Sequence, residues 1–337
     1  MTLRNLRSLQ AAAVRRNVSI VGTLLLLLLV CLAASLMVGE RTYSLMEVLR
    51  VLAGEQVKSA SYAVGELRLP RAILAVVGGS CFGIAGLTFQ TLLRNQLASP
   101  DIVGISSGAS AFGVVALVTF GAGQTATSLA ALAGALITAA AIYLLAIRGT
   151  FSGTRLILIG IGISSMLMSV VTYVLSQAAA WDLAAASRWL TGSINGASWD
   201  RVLPLVATWA VGVPVLLLAR RELAMLQLGQ DLAAGLGVHT GRARVVLIAA
   251  SVTLIAAATA ACGPVSFVAF MSGPIAMRLG RRWPMLTAAL VGALIMLLAD
   301  FAGQHLLGTR YPVGVVTGML GAPFLLYLLV RAQKGAA

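Results

Sequence analysis

Residues 66–109 read ELRLPRAILAVVGGSCFGIAGLTFQTLLRNQLASPDIVGISSGA, and this stretch decides the fold class. Arg68 and Arg71 stand one helical turn apart around Pro70 and lead into an uncharged run from Ala72 to Leu93. The run closes on Arg94-Asn95, and a second apolar stretch opens after Ser99-Pro100-Asp101. An apolar segment of about 20 residues is what crossing a bilayer as a helix requires. The pattern is a membrane helix, a tight polar turn and a small-residue helix, with no room between them for a water-soluble domain. Asp101, just after Pro100, reads as a first-turn acid at a helix N-terminus, where the helix dipole favours negative charge.

The rest of the chain repeats this pattern. Hydrophobic residues are 59% of the 337 and charged residues 10%, against about 25% charged in soluble domains. Ten spans are expected: Val18–Val38, Ala72–Leu93, Ile102–Phe120, Thr125–Ile147, Leu156–Gln177, Val202–Ala219, Val245–Cys262, Pro264–Met277, Met285–Ala302 and Tyr311–Val330. No charge falls between Val245 and Met277, but Gly263-Pro264 interrupts that run. A proline there removes a backbone donor, so two helices are expected rather than one. The fold class is therefore all-α and polytopic. Met1–Val38 has the basic start of a signal peptide, but its apolar run is too long for one and reads as a first span.

The net charge of +14 would point to nucleic acid in a soluble protein; here its distribution sets topology. With the N-terminus inside, sixteen of the 24 basic residues fall on the inner side, including Arg94, Arg148, Arg220, Arg221, Arg242, Arg244, Arg278, Arg281 and Arg282. The outer side holds eight, together with Glu40, Glu47, Glu55, Glu66, Asp182 and Asp200. The positive-inside rule then places both termini in the cytoplasm. Three connections are long enough to carry structure. Outer residues 39–71 hold an amphipathic piece around Leu45–Leu52. Outer residues 178–201 carry Trp181, Trp189 and Trp199, which suits a short interfacial helix. Inner residues 220–244, RRELAMLQLGQDLAAGLGVHTGRAR, space Leu223, Leu226, Leu232 and Leu236 as two short helices broken at Gly229 and ended by Gly235 and Gly237.

Catalytic chemistry has no foothold. No glycine-rich loop ends in Gly-Lys-Ser/Thr, so the chain does not cradle a nucleotide. Gly160-x-Gly162 lies inside a span and is packing. His239 and His305 fall in loops on opposite sides, and Cys31, Cys81 and Cys262 lie in spans without metal-ligand spacing. Three small-residue pairs, Gly79/Gly83, Gly104/Gly108 and Gly314/Gly318, favour close helix packing. Asp300 is the acid that falls inside a span. It either pairs with Arg310 or another outer arginine, or it touches a transport path. With no nucleotide site and one such acid, a transporter of this kind needs a partner for energy, and the basic inner loop is the docking place.

In order along the chain, the markers are Arg68-Leu-Pro-Arg71, Gly86, Gln90, Arg94-Asn95-x-Leu97-Ala98-x-Pro100 and Gly104-Ile-Ser-x-Gly108-Ala109. Then come Leu228-Gly229, Ala234-x-Leu236-Gly237, Gly263-Pro264-Val-x-Phe267, Asp300, and Pro312-x-Gly314 through Leu320-Gly321-x-Pro323-Phe324. These resemble the permease subunits of ATP-binding-cassette importers for ferric siderophores and vitamin B12, most of all a ferric-enterobactin-type permease. The resemblance covers essentially the whole chain as one transmembrane domain, 1–337. It implies ten helices in the bacterial cytoplasmic membrane and a second permease subunit, either identical or different in sequence, with a different one favoured. It also implies two cytoplasmic ATPase copies that hold ATP and Mg, and an extracytoplasmic siderophore-binding protein. This chain would bind no cofactor of its own. Leu226, Leu228, Gly229, Ala234, Leu236 and Gly237 would press into the ATPase, with the glycines and Ala234 allowing close approach. Arg68 and Arg71 would meet acidic residues of the binding protein.

This chain departs from the family pattern at four places. Gln96 replaces a turn proline, and Gly273, Pro274 and Met277 stand where the family has Pro-His, Ile and a basic pair. Other readings stay open at this point: a cobalamin or haem importer within the class, and an ion-coupled secondary transporter outside it.

Overall fold

The computed structural model describes residues 3–58, 60–100, 104–147, 152–280 and 282–334. Asp101, Arg148 and Arg281 lie outside them. In chain order the first half comprises α1 (Leu3–Met37), α2 (Leu45–Leu52), α3 (Ser61–Leu92), α4 (Ile105–Thr119), α5 (Gln124–Ala146) and α6 (Gly153–Ser176). The second comprises α7 (Ala180–Leu190), α8 (Trp199–Leu218), α9 (Arg220–Leu226), α10 (Gln230–Gly235), α11 (Thr240–Cys262), α12 (Val268–Leu279), α13 (Pro284–His305) and α14 (Val313–Lys334). No strand occurs among the described residues. The chain is an all-α polytopic membrane protein.

Eight of these helices are long and apolar enough to cross a membrane, and the two shorter apolar ones are α4 and α12. Each of the ten expected spans thus has a helix, but the third and eighth are short, and the eighth differs in kind. It is a helix of 12 residues, about 18 Å long against a hydrocarbon core of roughly 30 Å. Residues 263–267 precede it in non-helical form. Irregular backbone at such depth must be covered by protein. It is: the loop after α7 lies across it, with Ser193 N–H on the Cys262 carbonyl at 2.8 Å. A Cβ on Gly192 would meet the Pro264 backbone at 2.9 Å.

The span expected to begin at Ala72 begins eleven residues earlier, at Ser61. Its first eight residues, Ser61–Arg68, form a π-helix. Pro70 has no N–H for the carbonyl four residues back, and the ladder entering it widens, with Leu69 N–H bonding Val64 rather than Gly65.

α3 is the post around which the protein is built. It packs against α13, α11, α12 and α8, and small residues bring the axes together. A Cβ on Gly79 or Gly83 would strike the backbone of α13 at Gly292 or Ala288, and one on Gly86 would strike Ala269 of α12. Trp209 of α8 donates its indole N–H to Ser80. Around this centre α1 packs on α13, while α4, α5 and α6 form a flank joined to the centre through α11. Outward-facing aliphatic side chains such as Leu26, Leu29 and Val30 of α1 suit contact with lipid chains.

The first half of α1 and the last turns of α14 meet at one end of the bundle. Asn17 of α1 accepts the Arg282 N–H, and Tyr327 of α14 receives both Arg278 and Arg331, so each meets the α12–α13 connection. This is the termini end below; the other is the far end. At the far end, the expected amphipathic piece is α2. Ser44 and Glu47 cap it reciprocally, and the Ser44 N–H and hydroxyl hold the Glu47 carboxyl below its ordinary range. α7 is the expected short helix, but of the three tryptophans near it only Trp181 is fully exposed. Trp189 packs its ring on Gly113 of α4.

Candidate functional site

Three assemblies combine chemistry with position: a knot of charges at the far end of α3, a turn and loop at its near end, and the open face of α6.

At the far end, Arg71 grips Asp300 with two parallel hydrogen bonds, Nε to Oδ2 at 2.8 Å and Nη2 to Oδ1 at 2.7 Å. The Asp300 side chain is 8% exposed and that of Arg71 23%. A bidentate pair this deep fixes the start of α3 to the end of α13. Of the two readings open for Asp300, pairing with an outer arginine is the one observed, and the arginine is Arg71; Arg310 pairs with Glu40 instead. Arg68 turns toward α1, whose last carbonyls have no helical donor. Its Nη1 donates to Leu36 and Met37, each at 2.9 Å, and its Nη2 to Arg41 at 2.6 Å. The guanidinium also lies over the Tyr43 ring, 5.0 Å from its centroid. Both arginines therefore have internal partners. They differ in charge balance: Arg71 is neutralised by a carboxylate, whereas Arg68 bonds only neutral carbonyls and keeps its full positive charge. Both line a 630 Å³ cavity with Asp300, His305 and Arg310.

At the near end, Arg94 takes a left-handed backbone, φ 50°, and sends Nη2 to the carbonyl of Leu226, the last residue of α9, at 2.8 Å. The central post is thereby tied to the inner loop. Asn95 supplies the stiffness that a proline at Gln96 would give: its Oδ1 accepts the Leu97 N–H at 2.9 Å, an Asx-turn. Gln96 itself is exposed. The departures at Gly273 and Pro274 have a joint explanation. Pro274 lacks the N–H that the Phe270 carbonyl would accept, and Gln90 Nε2 donates to that carbonyl instead, at 3.0 Å. A Cβ on Gly273 would collide with the Gln90 amide, so the glycine makes room for the substitute donor.

The inner loop forms the two short helices expected. Leu226 and Leu223 are buried beneath them, whereas Leu228, Leu232 and Leu236 are exposed, as is Ala234. Gly229 has φ 128° and Gly237 φ 86°. Gly237 closes α10 as a Schellman turn, with Gly237 N–H on Ala234 and Val238 N–H on Ala233. The two glycines are thus required by the backbone itself.

α6 is the assembly that the sequence reading passed over. Ser165, Ser169, Thr172 and Ser176 recur at intervals of four, three and four residues and are all exposed. They form a polar stripe on an apolar helix. The first three hydroxyls donate to the carbonyl one turn back at 2.9 to 3.0 Å, and Ser176 donates to Tyr173. With their protons held internally, they present oxygen lone pairs outward. The spacing 165, 169, 172, 176 was the available signal.

Comparison with known proteins places the chain as a whole. The model of the FecCD transport family matches residues 26–331. The chain is 38% identical over 318 residues to the ferric enterobactin transport system permease protein FepG of Escherichia coli (strain K12), covering 93% of this chain and 96% of that one. It is 40% identical over 326 residues to the achromobactin transport system permease protein CbrC of Dickeya dadantii (strain 3937), covering 94% and 93%. Among solved structures, an inward-facing conformation of a metal-chelate type ABC transporter superposes with a TM-score of 0.83 at 25% identity, over 93% of this chain and 99% of that one. The chain belongs to the FecCD transport family.

Proposed function

We propose that this chain is the transmembrane permease subunit of an ATP-binding-cassette importer that carries ferric-siderophore complexes into the bacterial cytoplasm. The observation that carries the reading is α6, a span with a hydroxyl stripe that the described residues leave exposed. Exposed hydroxyl oxygens within a span suit a water-filled path shared with a second permease subunit, here taken to be a different one. The residues 1–337 act as a single membrane domain in the inner membrane, with the termini end in the cytoplasm. The inner loop supports the rest of the assignment. Leu228, Ala234 and Leu236 form an exposed apolar patch for a cytoplasmic ATPase, which holds ATP and Mg, while Leu226, Gly229 and Gly237 shape the loop that presents it. Arg94 passes the motion of that loop to α3, so that nucleotide closure on the partner opens one mouth of the path and closes the other. An extracytoplasmic siderophore-binding protein docks at the far end. Arg68, whose charge is not neutralised, supplies attraction for its carboxylates there, and Arg71 holds the surface in shape.

An ion-coupled mechanism lacks its usual group. Asp300 is the sole buried acid among the described residues, and it is paired with Arg71. The test is reconstitution of the permease pair with its ATPase in liposomes, with radio-iron uptake from a panel of siderophores, haem and cobalamin. ATP-dependent uptake of a ferric siderophore is the expected result. Uptake without nucleotide, driven by an ion gradient, would sink the reading; nucleotide-driven uptake of cobalamin alone would replace the substrate.

A further inference from the structure

A groove at the termini end lies between the first short helix of the inner loop and the transmembrane body. α8 and α13 both pack on α3, and between them α3 forms the floor of a 660 Å³ cavity. Its walls are mostly apolar, with Leu87 of α3, Leu217 at the end of α8, and Met285 and Leu286 at the start of α13, beside the polar Thr91 and Gln227. Its rim is cationic: Arg220, Arg221 and Arg282 stand there, exposed, beside Trp283, and no acid lines it. Among the described residues, none of the three guanidiniums has a hydrogen bond or an ion pair. Leu286 in the wall of the groove is 37% exposed, and Leu218, next to Leu217, is 80% exposed, where spans give way to connections.

These features constrain the occupant. A small inorganic anion would satisfy the arginines and leave the apolar walls wet. A neutral hydrocarbon chain would do the reverse. An anionic phospholipid answers both, since its phosphate suits paired guanidiniums and one acyl chain continues from the bilayer into the groove. Tryptophan at headgroup level fits the same depth. We propose that this groove is a binding site for one anionic phospholipid, headgroup on Arg220, Arg221 and Arg282, acyl chain along Leu87, Leu217 and Leu286. Arg220 and Arg221 begin α9, and Arg282 lies in the α12–α13 turn. The lipid therefore clips the inner loop to the transmembrane body.

The test uses the full-length chain in detergent, titrated with phosphatidylglycerol or phosphatidylcholine and read by native mass spectrometry. At roughly fivefold per arginine, three arginines give a preference for phosphatidylglycerol on the order of a hundredfold. The triple change R220Q/R221Q/R282Q removes that preference, whereas R15Q/R16Q/R242Q, an equal loss of charge elsewhere on the chain, preserves it. Leu217→Trp fills the groove, keeps the arginines and lowers phosphatidylglycerol retention. Glycerol phosphate, a headgroup without chains, fails to compete. Retention by the triple variant equal to the wild type overturns the proposal, as does equal retention of both lipids by the wild type. Competition by glycerol phosphate also overturns it, making this a simple phosphate site. A triple variant that keeps its lipid but loses the ATPase overturns it in favour of a protein contact.

Discussion

α3 and α6 have the same mean hydropathy and nearly opposite surroundings: 83% of the most apolar stretch of α3 is buried inside the subunit, against 11% for α6. Hydropathy identifies both as spans and does not tell them apart. Side-chain size and polarity do. α3 carries glycines where neighbouring backbones touch it, at 79, 83 and 86. α6 carries hydroxyls on an exposed face, and a Cβ on its Gly162 would meet no atom of the described residues within 4 Å. The lesson is that in lipid, where apolar surface gains little from burial in protein, small residues mark the packed helix and a polar stripe marks the open one.

The comparison breaks most severely at its glycines. Gly79→Leu should prevent folding or cost at least about 3 kcal/mol, since the new side chain meets α13 backbone that cannot move aside. Gly162→Leu should leave thermal stability within about 0.5 kcal/mol, as surface changes do. Fluorescence-detected thermal unfolding of the two variants, side by side, measures the contrast.

Next comes the far-end knot. Asp300→Asn should destabilise the protein by about 3 kcal/mol, because Arg71 is left half-buried without its counter-charge. A variant pairing Asp300→Asn with Arg71→Gln should recover part of that loss. A double variant no more stable than the single one would show that Asp300 acts otherwise.

Smaller still in stability, but larger in assembly, is the inner loop. Leu232→Asp and Leu236→Asp expose no buried surface, so unfolding should be unchanged. Co-purification of an ATPase with the variant should fall at least about tenfold if the leucines are anchors of that contact. Substituting Gly229 or Gly237 is a poorer probe, since positive φ strains any other residue there. The smallest structural effect is expected on α6. Ser165→Leu and Ser169→Leu should not alter stability, while uptake slows several-fold through a drier path.

Much of this architecture is legible in the residues, for physical reasons that differ by region. Long uncharged runs announce spans because water-free backbone must be helical, and Gly263-Pro264 announces a break because proline cannot donate. The loop leucines announce two short helices through their spacing. Arg68 and Arg71 are harder. Their pairing suggests a carboxylate partner outside the chain, and nothing local reveals that Asp300 lies 229 residues away in sequence, or that the carbonyls ending α1 lie beside Arg68. Gln90, Gly273 and Pro274 look unrelated until the fold joins a missing donor, a substitute and the space for it. The α6 stripe is visible as a period, but its meaning depends on which face neighbours leave uncovered, and that is a property of packing.

The most direct measurement of the difference between the two helices is thiol accessibility in the assembled transporter. In a chain with Cys31, Cys81 and Cys262 replaced, single cysteines at Ser165, Ser169 and Thr172 of α6 and at Ser80 and Thr88 of α3 would be exposed to a water-soluble, membrane-impermeant maleimide. The account predicts labelling at all three α6 positions, reduced when the ferric siderophore is bound, and none at the two α3 positions. Unlabelled α6 positions, reached only by a lipid-soluble reagent, would contradict it and return α6 to the bilayer.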